Sequence, residues 1–155
     1  MGFKVLMVCL GNICRSPLAQ GILESKLDPT FFQVDSAGTA SYHLGKKPDH
    51  RSIAVANKYG IDISHQRCRQ FAARDFTEYD LIFAMDKSNY HNIIALARNN
   101  KEKAKVSLLL QATQLTHQEV PDPYYGGEDR FEEVYHLIDK ACSAIARNLI
   151  QNTSN

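Results

Sequence analysis

Eight consecutive residues, Cys9-Leu10-Gly11-Asn12-Ile13-Cys14-Arg15-Ser16, bring together a thiol, a guanidinium and two residue types that tolerate tight turns. The thiol closes the apolar run Lys4-Val5-Leu6-Met7-Val8, and the arginine follows six residues later, where Ser16-Pro17 signals the start of a helix. Such a loop suits phosphate. Wrapped round one centre, it can turn successive backbone N–H groups inward, while the helix behind it adds its positive end and unpaired donors. Gly11 and Asn12 accept the left-handed conformations that such a wrap demands. A thiol held beside a helix start and a cation gives up its proton more readily than a free one, so Cys9 is expected to act as a thiolate nucleophile. The planar fork of Arg15 can hold two equatorial oxygens of a transferring phosphoryl group, a geometry that lysine cannot match. Ser16 can donate its hydroxyl to the sulfur. Taken singly, each residue has a plainer reading: Cys9 and Cys14 as small buried hydrophobes, Arg15 as a surface charge, Pro17 as a helix start. Their conjunction at a strand-to-helix junction is what points to function. Neither a P-loop nucleotide signature nor G-x-G-x-x-G occurs in the chain.

The elements that must position this loop follow from hydrophobic pattern. Residues 4–8 form a short continuous apolar run, the signature of a strand covered on both faces. Ser16 is expected to cap the following helix, with Pro17 in its first turn and Leu18, Ile22, Leu23 and Leu27 along one side. A second strand is expected over Gln33 to Ala37, then an irregular loop marked by Gly38, Ser41, Gly45 and Pro48, then a helix over 49–59. Leu81-Ile82-Phe83-Ala84 repeats the buried-strand pattern, and Asp86 or Ser88 is expected to cap a helix presenting Tyr90, Ile93, Ile94 and Ala97. Val106 to Leu109 makes a fourth strand. The last helix carries Phe131, Val134, Tyr135, Ile138, Ala141, Cys142, Ile145 and Leu149 at spacings of three and four. Strands alternating with helices imply an α/β fold: a single-domain, three-layer arrangement with a central four-stranded parallel sheet and helices on both faces. Ligands then belong at the carboxyl ends of the strands. Residues 148–155 are expected to fray.

Composition bounds the function. The 155 residues match one domain, 1–155, and 18 basic against 17 acidic residues give a net charge of +1. That balance argues against a surface built to neutralise nucleic acid or anionic lipid, so any anion recognition is local and neither nucleic acid nor membrane is expected as partner. The Lys101, Lys103, Lys105 cluster reads as a solvated turn. No run approaches the roughly 18 apolar residues of a membrane span, and the start lacks a secretory pattern; the protein is expected to be cytoplasmic. Cys9, Cys14, Cys68 and Cys142 are expected as free thiols. They lack the spacing of a zinc site, so no metal and no cofactor are expected.

The segment Val8-Cys9-Leu10-Gly11-Asn12-Ile13-Cys14-Arg15-Ser16-Pro17 resembles the signature loop of low-molecular-weight protein tyrosine phosphatases. The likeness extends in order through Asp35-Ser36-Ala37-Gly38-Thr39, Ala84-Met85-Asp86-Lys87-Ser88-Asn89 and Asp122-Pro123-Tyr124-Tyr125-Gly126, nearly the whole chain. What the resemblance implies is specific. Cys9 is the nucleophile; Arg15 binds the phosphoryl oxygens; Leu10 to Cys14 form the phosphate-binding loop; Ser16 supports the thiolate; Asn12 and Ser36 hold the loop's shape. Asp122 is the general acid, although by itself Asp122-Pro123 before Tyr-Tyr-Gly-Gly reads as a turn. One carboxyl group can protonate the leaving group and then activate water against a cysteinyl-phosphate. Tyr42, His43, Tyr124 and Tyr125 correspond to the aromatic wall of the family's cleft, whose depth suits phosphotyrosine and leaves phosphoserine short. The implied partners are phosphotyrosine proteins or peptides, with inorganic phosphate as product and inhibitor, and the implied state is a monomer.

The chain departs from the family pattern at Ser64-His65-Gln66-Arg67-Cys68-Arg69, where members often show Ser-His-x-Ala-Arg. His65 is the candidate loop-supporting histidine, and Gln20 stands where an acidic partner often sits. Cys14 corresponds to the cysteine that the family is thought to join to its nucleophile under oxidation, which protects the thiol from overoxidation. Two other readings fit the loop. An arsenate reductase on this scaffold would need a further cysteine pair on a mobile segment, and Cys68 and Cys142 are far apart in sequence. A phosphocysteine carrier would have no use for Asp122.

Overall fold

A computed structural model describes residues 2–116 and 118–153. The elements run β1 (Phe3–Cys9), α1 (Arg15–Glu24), β2 (Phe32–Gly38), α2 (His50–Lys58), α3 (Asp75–Glu78), β3 (Leu81–Ala84), α4 (Lys87–Ile94), α5 (Asn100–Ala104), β4 (Val106–Leu108), a 3-10 turn (Leu109–Ala112) and α6 (Glu128–Thr153). The four strands form one parallel sheet in the order β2-β1-β3-β4, with Met7 level with Ser36 on one side and Phe83 on the other. This is the expected α/β architecture.

β1 is central because it can be dry on both faces: Val5, Leu6, Met7 and Val8 are each 0% exposed. Alternate side chains divide between two cores. Val5, Met7 and Cys9 join residues of α1, α2 and α6, whereas Leu6 and Val8 join Phe71, Phe76, Ile82 and Ile93 on the side of α3 and α4. α6 docks through the residues its spacing picks out; Phe131, Val134, Ile138, Ala141 and Cys142 are all buried. Truncating one such side chain typically costs about 2–5 kcal/mol. The chain passes from β1 to β2 on one side and then crosses back over β1 to β3 on the other, so the strand order reverses beside the end of β1. A crevice opens there, between the loops after β1 and β3.

Several local expectations differ. α1 starts at Arg15, with Cys14 in the cap position and no side-chain cap. Ser16 is not the cap, because its hydroxyl is turned to Cys9 instead. Asp86 rather than Ser88 caps α4, which ends before Ala97. β4 stops at Leu108, where the 3-10 turn begins. The lysine cluster is not a turn: residues 100–104 form α5 under an Asn99 cap. Lys105 donates to the carbonyls of Phe76 (2.5 Å) and Tyr79 (3.0 Å) and so closes α3. α6 is helical through Thr153, across most of the stretch expected to fray; residues 154 and 155 lie outside the described residues.

Candidate active site

The Cys9 sulfur sits at the carboxyl end of β1, 3.0 Å from the Ser16 hydroxyl, and accepts the Asn12 backbone N–H at 3.3 Å. Asn12 Nδ2 donates to Ser16 Oγ at 2.8 Å and to Ser36 Oγ at 2.9 Å. Because Ser16 Oγ accepts from Asn12, its own proton is left for the sulfur, with the Ala37 carbonyl a longer alternative at 3.4 Å. Ser36 passes its proton on to Gln20 Oε1 at 2.7 Å, which ties the loop to α1. Among the described residues, Asn12 is the one non-glycine with positive φ, at 58°. That conformation costs about 1–2 kcal/mol. It is offset because every polar group of Asn12 has a partner: its carbonyl accepts from Cys68 Sγ at 2.8 Å and its Oδ1 from the Arg69 N–H at 3.0 Å. The loop also presses on β2. A Cβ at Gly38 would lie 2.7 Å from the Leu10 carbonyl oxygen, so only glycine fits there.

Arg15 is 3% exposed and points across the switch point to the other half of the sheet. Its Nη1 donates to Asp86 Oδ2 at 2.6 Å and to the Val120 carbonyl at 2.9 Å, while Nη2 lies 3.8 Å from Asp122 Oδ2. Burial works against the guanidinium's charge, but Cys9, Asp86 and Asp122 outweigh it and hold the pKa above the ordinary arginine value. Asp122 stands at the rim with its side chain 43% exposed, and its Oδ1 accepts the Tyr124 N–H at 3.1 Å. The arrangement gathers a buried sulfur, a fixed guanidinium and a solvent-touching carboxyl group round one space.

That space is a cleft of about 320 Å³ lined by Cys9, Leu10, Gly11, Ile13, Cys14 and Arg15 at its floor and by Tyr42, His43, Asp122, Tyr124 and Tyr125 above. All four expected wall residues are therefore brought together, although Tyr42 and Tyr125 are 73% and 96% exposed and stand at the mouth. A larger open groove of about 1300 Å³ lies between α4, residues 115, 116 and 118–121, and α6. It touches the site through Asp86 and Asp122 but contains neither Cys9 nor Arg15, so the small cleft is where a phosphoryl group can meet sulfur.

One expected residue is not in place. His65 is exposed, and the buried side chain of that turn is Gln66, whose Nε2 donates to the Pro17 carbonyl at 3.1 Å. Ile63 and Gln66 face α1 together, where a Cβ at Gly21 would meet both, and His65 is left on the outside. Gln20 correspondingly pairs with Ser36 and not with a histidine. Sequence reasoning missed three further contributors: Cys68, expected only as a free thiol, Asp86 as the anchor of Arg15, and the Val120 carbonyl. The carboxylate directly after β3 was a usable signal for Asp86; nothing in the sequence marks a carbonyl.

The model of the family described as low molecular weight phosphotyrosine protein phosphatase matches residues 4–155. The low molecular weight phosphotyrosine protein phosphatase of Schizosaccharomyces pombe is 41% identical over 143 residues, covering 88% of this chain and 90% of the relative. The human protein of the same description is 38% identical over 146 residues, covering 91% and 92% respectively. The structure superposes on that of a protein tyrosine phosphatase from Entamoeba histolytica with a TM-score of 0.92 at 35% identity, covering 98% of this chain and 99% of the other. With the family matched over nearly its whole length and the phosphate loop, arginine and rim aspartate gathered in one cleft, this chain belongs to the low molecular weight phosphotyrosine protein phosphatase family.

Proposed function

We propose that this protein hydrolyses phosphotyrosine in proteins through a cysteinyl-phosphate on Cys9, with Arg15 clamping the phosphoryl oxygens and Asp122 serving as acid and then base. The observation that carries the reading is the Cys9 sulfur receiving the Asn12 N–H and facing the Ser16 hydroxyl at the floor of a cleft shared with Arg15 and Asp122. In the first step the sulfur attacks phosphorus and the P–O bond to tyrosine breaks. Its electron pair goes to the phenolic oxygen, which takes the proton of Asp122. In the second step the Asp122 carboxylate removes a proton from water as the water oxygen attacks phosphorus, the S–P bond breaks, and the thiolate leaves against the Ser16 hydroxyl. Arg15 serves both steps because the spreading charge lies on equatorial oxygens that its fork can hold.

Depth supports tyrosine as the substrate side chain. Cys9 is only 2% exposed, and aromatic residues stand between it and solvent, so a ring that stacks against Tyr42 or Tyr124 reaches its sulfur while a shorter phosphoserine does not. Inorganic phosphate is the product and, in the same loop, an inhibitor. Four free cysteines fit a reducing cytoplasm. A cysteine relay of the arsenate-reducing kind has poor material here: Cys142 is fully buried in α6, and the Cys68 thiol is bonded to Asn12.

The direct test is a phosphopeptide panel run with the wild-type protein and with Cys9→Ser. Phosphotyrosine peptides should be turned over by the wild type and phosphoserine peptides left intact, and Cys9→Ser should bind phosphotyrosine peptides without releasing phosphate. Phosphate release by Cys9→Ser would refute the assignment.

A further inference from the structure

Cys9 and Asp122 come from loops far apart in the chain, and the first turn of α2 touches both. On one side the Asp49 N–H donates to the Ile13 carbonyl at 2.7 Å, and the Ser52 hydroxyl donates to the Cys14 carbonyl at 3.2 Å, so α2 is fastened to the back of the phosphate loop. On the other side Arg51 reaches the loop that carries Asp122. Its Nη2 donates to the Tyr124 carbonyl at 2.9 Å and its Nη1 to the Gly126 carbonyl at 3.2 Å. The guanidinium also lies 4.6 Å from the centre of the Phe131 ring and 5.5 Å from that of Tyr124.

The aim of Arg51 is set by Asp49. Asp49 Oδ1 accepts from Arg51 Nε at 3.0 Å and Oδ2 accepts from Nη2 at 3.0 Å, a two-pronged pairing on a carboxylate whose side chain is 9% exposed. Capping α2 needs only the Arg51 backbone N–H, which Asp49 Oδ1 accepts at 2.9 Å. The guanidinium contacts therefore exceed what the cap requires. Besides these contacts the loop is held by a turn closed by the Gly126 N–H on the Pro123 carbonyl, by the Tyr124 N–H on Asp122 and by Arg15 Nη2, 3.8 Å from Asp122 Oδ2, while Tyr125 is nearly bare.

We propose that Arg51, oriented by Asp49, is the positioning residue that registers Asp122 and the Tyr124 wall against the phosphate loop. This rests on the reading of Asp122 as the general acid. The guanidinium touches neither substrate nor sulfur. It sets how far the acidic proton stands from the leaving oxygen, a distance for which a misplacement of about 1 Å costs on the order of 10²-fold in rate.

The test compares kcat/KM for two substrates: phenyl phosphate, whose phenolate needs a proton to leave, and p-nitrophenyl phosphate, whose nitrophenolate departs readily without one. Arg51→Met keeps an apolar stem on Phe131 and removes the fork. It should lower kcat/KM for phenyl phosphate at least about 10-fold more than for p-nitrophenyl phosphate. The ratio of the two does not depend on the fraction of enzyme that is folded. Arg51→Lys, which keeps a cation but cannot span both carbonyls, should shift it in the same direction by less. In an Asp122→Ala background, Arg51→Met should leave the ratio where Asp122→Ala alone puts it, because the acid it positions is gone. A wild-type ratio in both Arg51 variants, or a further widening in the Asp122→Ala background, would overturn the proposal. If Asp122→Ala alone keeps the wild-type ratio, the acid assignment itself fails and the positioning role falls with it.

Discussion

Cys9 and Cys14 stand in one loop and line one cleft, and the Cys9 sulfur accepts a backbone N–H, that of Asn12, besides facing the Ser16 hydroxyl. Burial, with Asp49, Cys9 and Asp122 nearby, drives the Cys14 thiol far above its ordinary pKa. Burial and the charge of Cys9 push Cys68 up to about 11, and burial, with Asp139 adding to it, raises Cys142 strongly. A raised thiol pKa keeps the proton on at neutral pH, so these three should be silent toward a thiolate-seeking reagent until the solution approaches the value of each. Iodoacetate at pH near 7 should therefore carboxymethylate Cys9 alone, more slowly when inorganic phosphate fills the loop. Peptide mapping reads the site. Labelling of Cys14 or Cys68 while Cys9 stays free would show that the loop's field does not single out Cys9. At this scale the sequence was informative: the loop residues converge as their types suggest, and Asp122 joins them where the family resemblance puts it. It failed at His65 because one residue more than the family pattern moves the inward position to Gln66, and burial cannot be read from residue type alone.

At the scale of elements, Asp86 joins two helices through its two oxygens. Oδ1 caps α4 by accepting the Asn89 N–H at 2.8 Å, and Oδ2 holds Arg15, the first residue of α1, at 2.6 Å. Asp86→Asn leaves an oxygen for the cap but sets an amide NH2 or an uncharged oxygen against a buried guanidinium. Removing the partner of a buried charge costs about 3–5 kcal/mol, less here because Asp86 is 21% exposed. Inhibition by inorganic phosphate should weaken by about 10-fold or more, since about 1.4 kcal/mol already makes that factor. An unchanged inhibition constant would mean that Asp86 does not set the clamp. Asp86 could be read from the sequence as a cap, because capping is local. Its contact with Arg15 spans 71 residues and follows only once β1 and β3 are neighbours.

For the molecule as a whole, the continuous apolar runs of β1 and β3 and the spacing of α6 define the layers, and the layers place the cleft at the point where the strand order reverses. Those features were legible because each rests on several residues agreeing. α3 and α5, four and five residues long, are too short for periodicity to register. The Arg51 and Val120 contacts escaped for another reason: they join side chain to backbone carbonyl, and a carbonyl has no residue signature. What the assembled fold is built to hold is a sulfur that accepts a phosphoryl group. The most direct measurement is to react Asp122→Ala protein, which lacks the carboxyl group proposed as both acid and base, with p-nitrophenyl phosphate radiolabelled on phosphorus, quench it, and map the label. The account predicts phosphate covalently bound to the sulfur of Cys9 and to no other residue. Label on another side chain, or turnover with no labelled protein at any quench time, would contradict it.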